Sequence, residues 1–226
     1  MLKKLLSVVV LTVFLIGTFT AQAETNLLTN GDFETDGTGQ TPSGWVEEAF
    51  QPGSEYAMNA KKTHGGKAAL MINSPQENDV RMIQSIPVKP NTYYRLSGYI
   101  ATENLPKPAA NLCVVAADFY HSPLLSGTTD WTYVEFNFRT HAKQNEVKIG
   151  ARLGMWGNTV TGTAYFDDLS LVELTEAPAG AMELKDENAP AASQASKKAL
   201  GSWVWLIPAA LVIIAAVLFL EKKKKR

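Results

Sequence analysis

The sequence predicts an all-β fold, an antiparallel β-sandwich followed by one C-terminal transmembrane helix, and three observations carry that expectation. Apolar and polar residues alternate with period two through most of the central segments, as in strands that bury one face. Clusters of turn residues separate those segments, among them Lys-Pro-Asn-Thr at 89–92, Ser-Gly-Thr-Thr-Asp at 126–130 and Gly-Asn-Thr-Val-Thr-Gly at 157–162. Near the end, Trp203–Leu220 is apolar throughout apart from Pro208, and about 20 such residues cross a bilayer as a helix.

Taken in order, residues 1–23 read as a secretory leader. Lys3 and Lys4 precede an apolar stretch from Leu5 to Phe19, and Ala21-Gln22-Ala23 offers a small-x-small cleavage site. An uncleaved N-terminal anchor is the alternative. Residues 24–174 have the length of one domain and can bury a sizeable core. They hold eleven Lys/Arg against seventeen Asp/Glu, a net charge of −6, whereas the whole chain carries −1 because its ends are basic. Nucleic acid requires a basic face and is not an expected partner. Cys113 is the sole cysteine, so no intrachain disulfide can form. Its apolar setting, Asn-Leu-Cys-Val-Val, reads as a buried small hydrophobe rather than a reactive thiol or metal ligand.

Strands are expected at Asn26–Glu34, Lys67–Asn73, Asp79–Val88, Thr92–Thr102, Asn111–Tyr120, Thr132–Thr140, Val147–Met155 and Thr163–Leu174, or nine with a short one around Trp45. In the sixth of these Val134, Phe136 and Phe138 face one way, and Tyr133, Glu135, Asn137 and Arg139 the other. Residues 175–200 are rich in Ala, Pro, Ser and charge, with too few large apolar residues to fold. They read as a disordered, flexible tether. The span at 201–220 follows, with Trp203 and Trp205 at one boundary. Glu221 and the run Lys-Lys-Lys-Lys-Arg at 222–226 lie at the other, and such a basic cluster stays cytoplasmic. The expected topology is a single-pass cell-membrane protein with its domain extracellular or periplasmic. A sorting tail cut by a transpeptidase is the alternative. No Leu-Pro-x-Thr-Gly or Pro-Glu-Pro motif precedes the span, which favours a retained anchor.

Four passages, in order, resemble a known family. They are Asn-Leu-Leu-Thr-Asn-Gly-Asp-Phe-Glu at 26–34 with Pro-Ser-Gly-Trp at 42–45; Thr-His-Gly-Gly-Lys-Ala-Ala-Leu-Met-Ile at 63–72; Gln-Ser-Ile-Pro-Val-Lys-Pro-Asn-Thr-Tyr-Tyr-Arg-Leu at 84–96; and Asp-Trp-Thr-Tyr-Val-Glu-Phe-Asn-Phe at 130–138 with Gly-Thr-Ala-Tyr-Phe-Asp-Asp-Leu-Ser-Leu at 162–171. Together they are similar to the galactose-binding-like jelly roll of carbohydrate-binding modules, especially the cellulose-binding modules of families four and nine, over Asn26–Glu173. The motifs are far more specific for the fold than for the ligand. The resemblance implies that the first and last strands lie side by side. It also implies a structural calcium ion where they meet, held by the Glu34 and Asp168 side chains and the carbonyls of Asp32, Lys67 and Asp168. Calcium takes about six to eight oxygen ligands, which suits that set. Read without the resemblance, two acidic residues beside an apolar strand also call for a partner such as a metal; Glu34 as a solvated strand-end residue is the alternative.

Trp45 and Trp131 match structural tryptophans of the family and are expected in the core. Trp156, in the Gly-rich stretch Gly-Met-Trp-Gly-Asn-Thr-Val-Thr-Gly, has no evident core partner. It reads either as a sugar-stacking platform or as a loop anchor. A second candidate site is a groove on one sheet face. Alternation puts Arg95 and Tyr99 on one face of their strand, Glu135, Asn137 and Arg139 on the outward face of another, and Arg152 on a third. They converge if those strands share a sheet; polar alternation alone equally describes a solvated face. Catalysis finds no constellation. Asp167 and Asp168, adjacent on a strand, are expected on opposite faces and so unable to flank one glycosidic bond. His64, His121 and His141 have no metal-ligand spacing, and no nucleophile-elbow or phosphate-loop motif is present. The expected function is therefore a non-catalytic cell-surface protein that binds a polysaccharide or other glycan. A protein-binding adhesion or assembly domain on the same fold, or an accessory subunit of a glycoside-degrading enzyme, is the alternative.

Overall fold

The computed structural model of the protein describes residues 24–35, 41–59, 61–116 and 120–187. The expected leader, half of the expected linker (188–200), the apolar span and the basic tail lie outside the described residues. Among the described residues no helix is long and apolar enough to cross a membrane. Contacts group Met1–Leu184 into one unit and Lys185–Arg226 into a second, and all described strands belong to the first.

Ten strands are described: β1 (Val46–Ala49), β2 (Glu55–Asn59), β3 (Ala69–Asn78), β4 (Val80–Pro87), β5 (Tyr93–Val114), β6 (Tyr120–His121), β7 (Leu125–Arg139), β8 (Glu146–Leu153), β9 (Val160–Leu174) and β10 (Met182–Glu183). They form the two layers of a β-sandwich. Sheet A contains β2, β3, β9, the first half of β5, β7 and β10. Sheet B contains β1, β4, β8, the second half of β5 and β6. The two strands expected at 92–102 and 111–120 are thus one strand of 22 residues that serves both layers. It changes partners around Asn104, Pro106 and Pro108, where Asn104 has φ 57° and the prolines have no N–H to donate. A second tight crossing is at Asp79, the single residue between β3 in sheet A and β4 in sheet B.

The core lies between the layers and follows the alternation. Leu70, Ile72, Leu96, Phe136, Phe138 and Phe166 of sheet A meet Met82, Leu112, Ile149 and Leu153 of sheet B. Each such side chain contributes about 1.5–3 kcal/mol on full burial. Trp45 joins them as expected, packed on Phe33 with ring centroids 5.4 Å apart and its indole N–H donated to the Asn30 carbonyl at 3.1 Å.

The segment at Asn26–Glu34 is not a strand, although it lies beside the last strand as the resemblance implies. β3 pairs with β9 only up to Phe166, and the N-terminal segment takes the vacated edge beyond. Leu27 N–H donates to Leu171 O and Leu169 N–H to Gly31 O, both at 2.8 Å. The Asn26 side chain accepts from Leu171 N–H at 2.9 Å and donates to Leu169 O at 3.0 Å. A regular ladder is prevented by two left-handed residues, Asn30 and Phe33, both at φ 52°. Gly31 is required by proximity, since a Cβ there would sit 2.2 Å from the Leu169 carbonyl oxygen. Gln84 clamps the segment from inside: its side chain accepts from Thr29 N–H at 2.8 Å and donates to the carbonyls of Thr29 (2.9 Å) and Gly44 (3.1 Å).

At the other end, structure continues into the stretch read as a linker. β10 pairs in parallel with the open side of β7, Met182 opposite Phe138, and Leu184 is buried. Composition averaged over 175–200 hides these two apolar residues, which cover an edge that would otherwise present unpaired backbone groups.

Candidate functional site

The outer face of sheet B carries the better-defined cavity. In β4 and β8 the inward residues are Val80, Met82, Ala151 and Leu153, so Arg81 and Arg152 point outward, and the register sets them directly opposite each other. Like charges so placed repel. Each is balanced by an acid. Glu48 on β1, opposite Arg81, pairs with the Arg81 Nε. Asp79 at the inter-sheet corner takes both forks of Arg152, at 2.7 Å to Nε and 2.5 Å to Nη2, with only 14% and 12% of the two side chains exposed. Such a two-point pair fixes the guanidinium plane. Beside them on β5 lies Cys113, whose thiol burial pushes up to about 11. Gly150 lies between, where a Cβ would come within 2.9 Å of Cys113 Sγ, so the absence of a side chain keeps the floor low.

The resulting groove holds about 380 Å³ and is lined by Arg81, Cys113, Val115, His121, Arg152 and Trp156, among others. His121 on β6 faces Cys113 across the strand pair and donates from Nδ1 to the Ser122 carbonyl at 2.7 Å. Trp156 stands at the rim with 82% of its surface exposed. It is carried by a tight turn closed by reciprocal Met155–Asn158 backbone bonds of 3.1 and 2.9 Å, and the Asn158 amide pins that turn to the Pro108 carbonyl at 2.9 Å. On its far side Trp156 shares a second notch of about 300 Å³ with Phe50, itself 73% exposed and held by its N–H to the Asp79 carbonyl at 2.9 Å. The turn that carries Trp156 is thus fixed, while the ring itself stays exposed.

The other predicted ligand residues divide between the two sheets. Arg95, Tyr99, Glu135 and Asn137 do share a face, the outer face of sheet A, with Arg95 opposite Asn137 and Tyr99 opposite Tyr133. Arg152 is on sheet B and is not part of that face. Trp131, expected in the core, is half-buried on the outside of sheet A, because residues of its parity in β7 point away from Val134 and Phe136. His64 stacks on Tyr99 at 3.5 Å and meets Trp131 edge-on at 5.9 Å. A cleft of about 540 Å³ continues this face, lined by Arg95, Glu135, Asn137 and three further glutamates, Glu24, Glu173 and Glu176. Sequence reasoning missed Arg81, His121 and Phe50. Arg81 had a usable signal, the outward parity of Asp-Val-Arg-Met-Ile; its pairing with a residue 71 positions away did not show in the sequence.

Of the four predicted metal-site residues, Glu34 and Asp168 approach one loop, residues 64–68, which contains Lys67. Glu34 Oε1 accepts from Lys67 and Ala68 N–H at 2.7 and 3.0 Å, which holds its carboxyl below the usual range. Asp168 Oδ2 lies 2.6 Å from His64 Nδ1. Asp32 sits beside Asp168 and Leu169 in a shallow depression. Among the described residues no three His, Cys, Asp or Glu side chains gather to hold a metal, so an ion here would depend on main-chain carbonyls to complete its shell. The donors are all oxygen, which suits a hard cation. Contrary to expectation, Asp167 and Asp168 do not part to opposite faces. A bulge with Asp168 at φ 51° turns both towards the same loop, and Asp167 Oδ2 accepts the backbone N–H groups of His64 and Gly65 at 2.8 and 3.1 Å.

Comparison with known proteins bears on the fold just described. The profile of a family described as "Carbohydrate binding domain" matches residues 25–154. The structure of TmCBM61 in complex with β-1,4-galactotriose aligns with TM-score 0.47 and 16% identity, covering 67% of this chain and all of that one. The CBM22-1 xylan-binding domain of Paenibacillus barcinonensis Xyn10C aligns with TM-score 0.41 and 16% identity, over 70% of this chain and 99% of that one. In sequence, the tRNA nuclease WapA of Bacillus subtilis strain 168 is 26% identical over 166 residues, 66% of this chain; the chain spans 7% of that nuclease's length.

Proposed function

The chain belongs to the carbohydrate binding domain family, and from that premise we propose that it holds a glycan, without cleaving it, in the groove on the outer face of sheet B. The observation that carries the reading is the pair Arg81 and Arg152, set side by side at the groove floor beneath the exposed ring of Trp156. A sugar ring has an apolar C–H face and a rim of hydroxyls. An exposed indole on a fixed turn offers the first a stacking surface, and guanidinium N–H groups offer the second charge-assisted hydrogen bonds, with the His121 ring beside them. Because Glu48 and Asp79 already orient the arginines, little side-chain freedom is lost on binding. Those same ion pairs engage Glu48 and Asp79, so among the described residues neither of these two carboxylates is free to act as acid or base across a glycosidic bond.

The proposal extends to the metal and to location. Calcium at Glu34 and Asp168, completed by the carbonyls of Asp32, Lys67 and Asp168, would pin the N-terminal segment to β9. Convergence of both carboxylates on Gly65 and Gly66 supports it: a Cβ at Gly66 would lie 2.1 Å from Glu34 Oε1, so the loop needs glycine to come this close. Cell-surface display with the domain outside rests on the leader-like and span-like sequences at 1–23 and 201–220.

A glycan array probed with the full chain tests the binding. Retention of one or more glycans is expected, with loss in Trp156→Ala and in Arg81→Ala. Retention of none removes the reading and leaves the protein-binding alternative.

A further inference from the structure

We infer that Phe50 is a second stacking platform, so that the glycan in the groove is an extended chain that crosses the rim at Trp156 and continues over Phe50. The inference rests on the groove reading and adds the ligand's class to it: an internal stretch of polysaccharide rather than a single terminal sugar. Exposed apolar residues scattered singly need no ligand to account for them. Phe50 is not single. It lines the notch of about 300 Å³ with Met155, Trp156, Gly157 and Thr159, while Met155 and Trp156 also line the groove of about 380 Å³. The two cavities thus meet at one indole, and a chain that stacks there from the groove has the exposed Phe50 next along its path.

The same corner of the sandwich sets both residues. Phe50 N–H donates to the Asp79 carbonyl at 2.9 Å. The next residue is held by the Asn78 side chain, which accepts from Gln51 N–H at 3.1 Å and donates to Gln51 O at 2.6 Å. Asn78 is fully buried, which shields this anchor from water. The Trp156 turn leans on the same two residues: at Gly154 a Cβ would come within 2.7 Å of Asp79 Cα and 2.9 Å of Asn78 O. Thr159, just past the turn, donates its hydroxyl to Glu77 at 3.0 Å. Asp79 also holds Arg152, so groove floor, rim and notch share one support. Platforms on one support act together on one chain, because a unit bound at the first presents the next to the second at high effective concentration. The chemistry divides accordingly. Arginines in the groove meet hydroxyls, and the notch, with Phe50, Met155 and Trp156, offers mainly apolar area to the C–H faces of further units.

Isothermal titration of the full chain with xylan-, β-1,4-galactan- and mixed-linkage β-glucan-derived oligosaccharides, from disaccharide to hexasaccharide, tests the extension. Wild type is expected to bind at least one series with an affinity that rises with length. Phe50→Ala should leave the shortest bound member unchanged and weaken the hexasaccharide about fivefold, the scale of one aromatic contact. Phe50→Tyr keeps the ring and should match wild type. Arg81→Ala, which alters the groove alone, should weaken every length. Melting temperatures equal to wild type show that the Phe50 variants are folded, as expected for an exposed side chain. The second platform is overturned by an affinity independent of length, by a Phe50→Ala chain equal to wild type on the hexasaccharide or weakened equally at every length, or by a Phe50→Tyr chain as weak as Phe50→Ala. In each of these cases the groove stands if Arg81→Ala still weakens binding. Arg81→Ala without effect on any bound length overturns the groove reading and this extension with it. Binding of no oligosaccharide overturns both.

Discussion

The N-terminal clamp and the sheet B groove are both polar clusters on an apolar scaffold, yet they are built to opposite ends. In the clamp the groups interlock: Gln84 takes three backbone partners, Asn26 bonds on both sides of Leu169–Leu171, and the Trp45 indole N–H is donated to Asn30 O. In the groove the arginines are oriented by acids and line the cavity, and the largest apolar ring faces solvent. A cluster whose groups satisfy one another holds the fold together; one that leaves donors and a ring exposed is ready for something else. The clamp sequence, Asn-Gly-Asp-Phe-Glu, looks more like a functional motif than anything around Arg81 does, and it is the structural one.

Substitutions should separate the two. The largest stability effect is expected from Gln84→Ala, which leaves the Thr29 N–H and the Thr29 and Gly44 carbonyls without their partner. Unsatisfied groups cost about 1–3 kcal/mol each when buried, so a loss of about 2–4 kcal/mol is expected in denaturant unfolding. Gly31→Ala should destabilise by about 2 kcal/mol as the segment is pushed off the Leu169 carbonyl. Neither change should alter glycan affinity in a chain that remains folded. Trp156→Ala should do the reverse: stability within about 0.5 kcal/mol of wild type, since the ring is exposed, and affinity about tenfold weaker, or about 1.4 kcal/mol. Clamp variants that weaken binding while folded would break the contrast.

Calcium sharpens the clamp side. Binding to the native state alone adds about 2.7 kcal/mol at a hundred times Kd, so the melting temperature should rise with calcium and fall with chelator. Asp168→Ala should remove that response, and a wild-type melting temperature indifferent to both would count against the ion. The smallest effect concerns the groove floor. Cys113 is buried and its thiol is shifted up to about 11, so at pH 8 it stays protonated. Thiol reagents should label it only after unfolding; rapid labelling of the native chain would mean that the floor is open.

Much of the fold was legible because it depends on local alternation: β7 and β8 bury the residues that period two selects. What failed depended on distant partners. Whether Asn26–Glu34 is a ladder or a clamp is decided by Leu169 and Gln84, and β5 is one strand because sheet A and sheet B each pair with half of it. The site was half legible for the same reason. Trp156 and Arg152 could be singled out alone, whereas Arg81 acquires meaning only opposite Arg152, and Trp131 was placed inside because a tryptophan after a turn says nothing about which face its strand presents.

The most direct test of the groove is an NMR titration of chain labelled with 15N-tryptophan, using a glycan retained on the array. The Trp45 indole N–H, donated to Asn30, serves as an internal reference that should not move. The account predicts a saturable shift of the Trp156 indole resonance, with the same midpoint as the binding isotherm. A bound glycan that leaves the Trp156 resonance in place would contradict it.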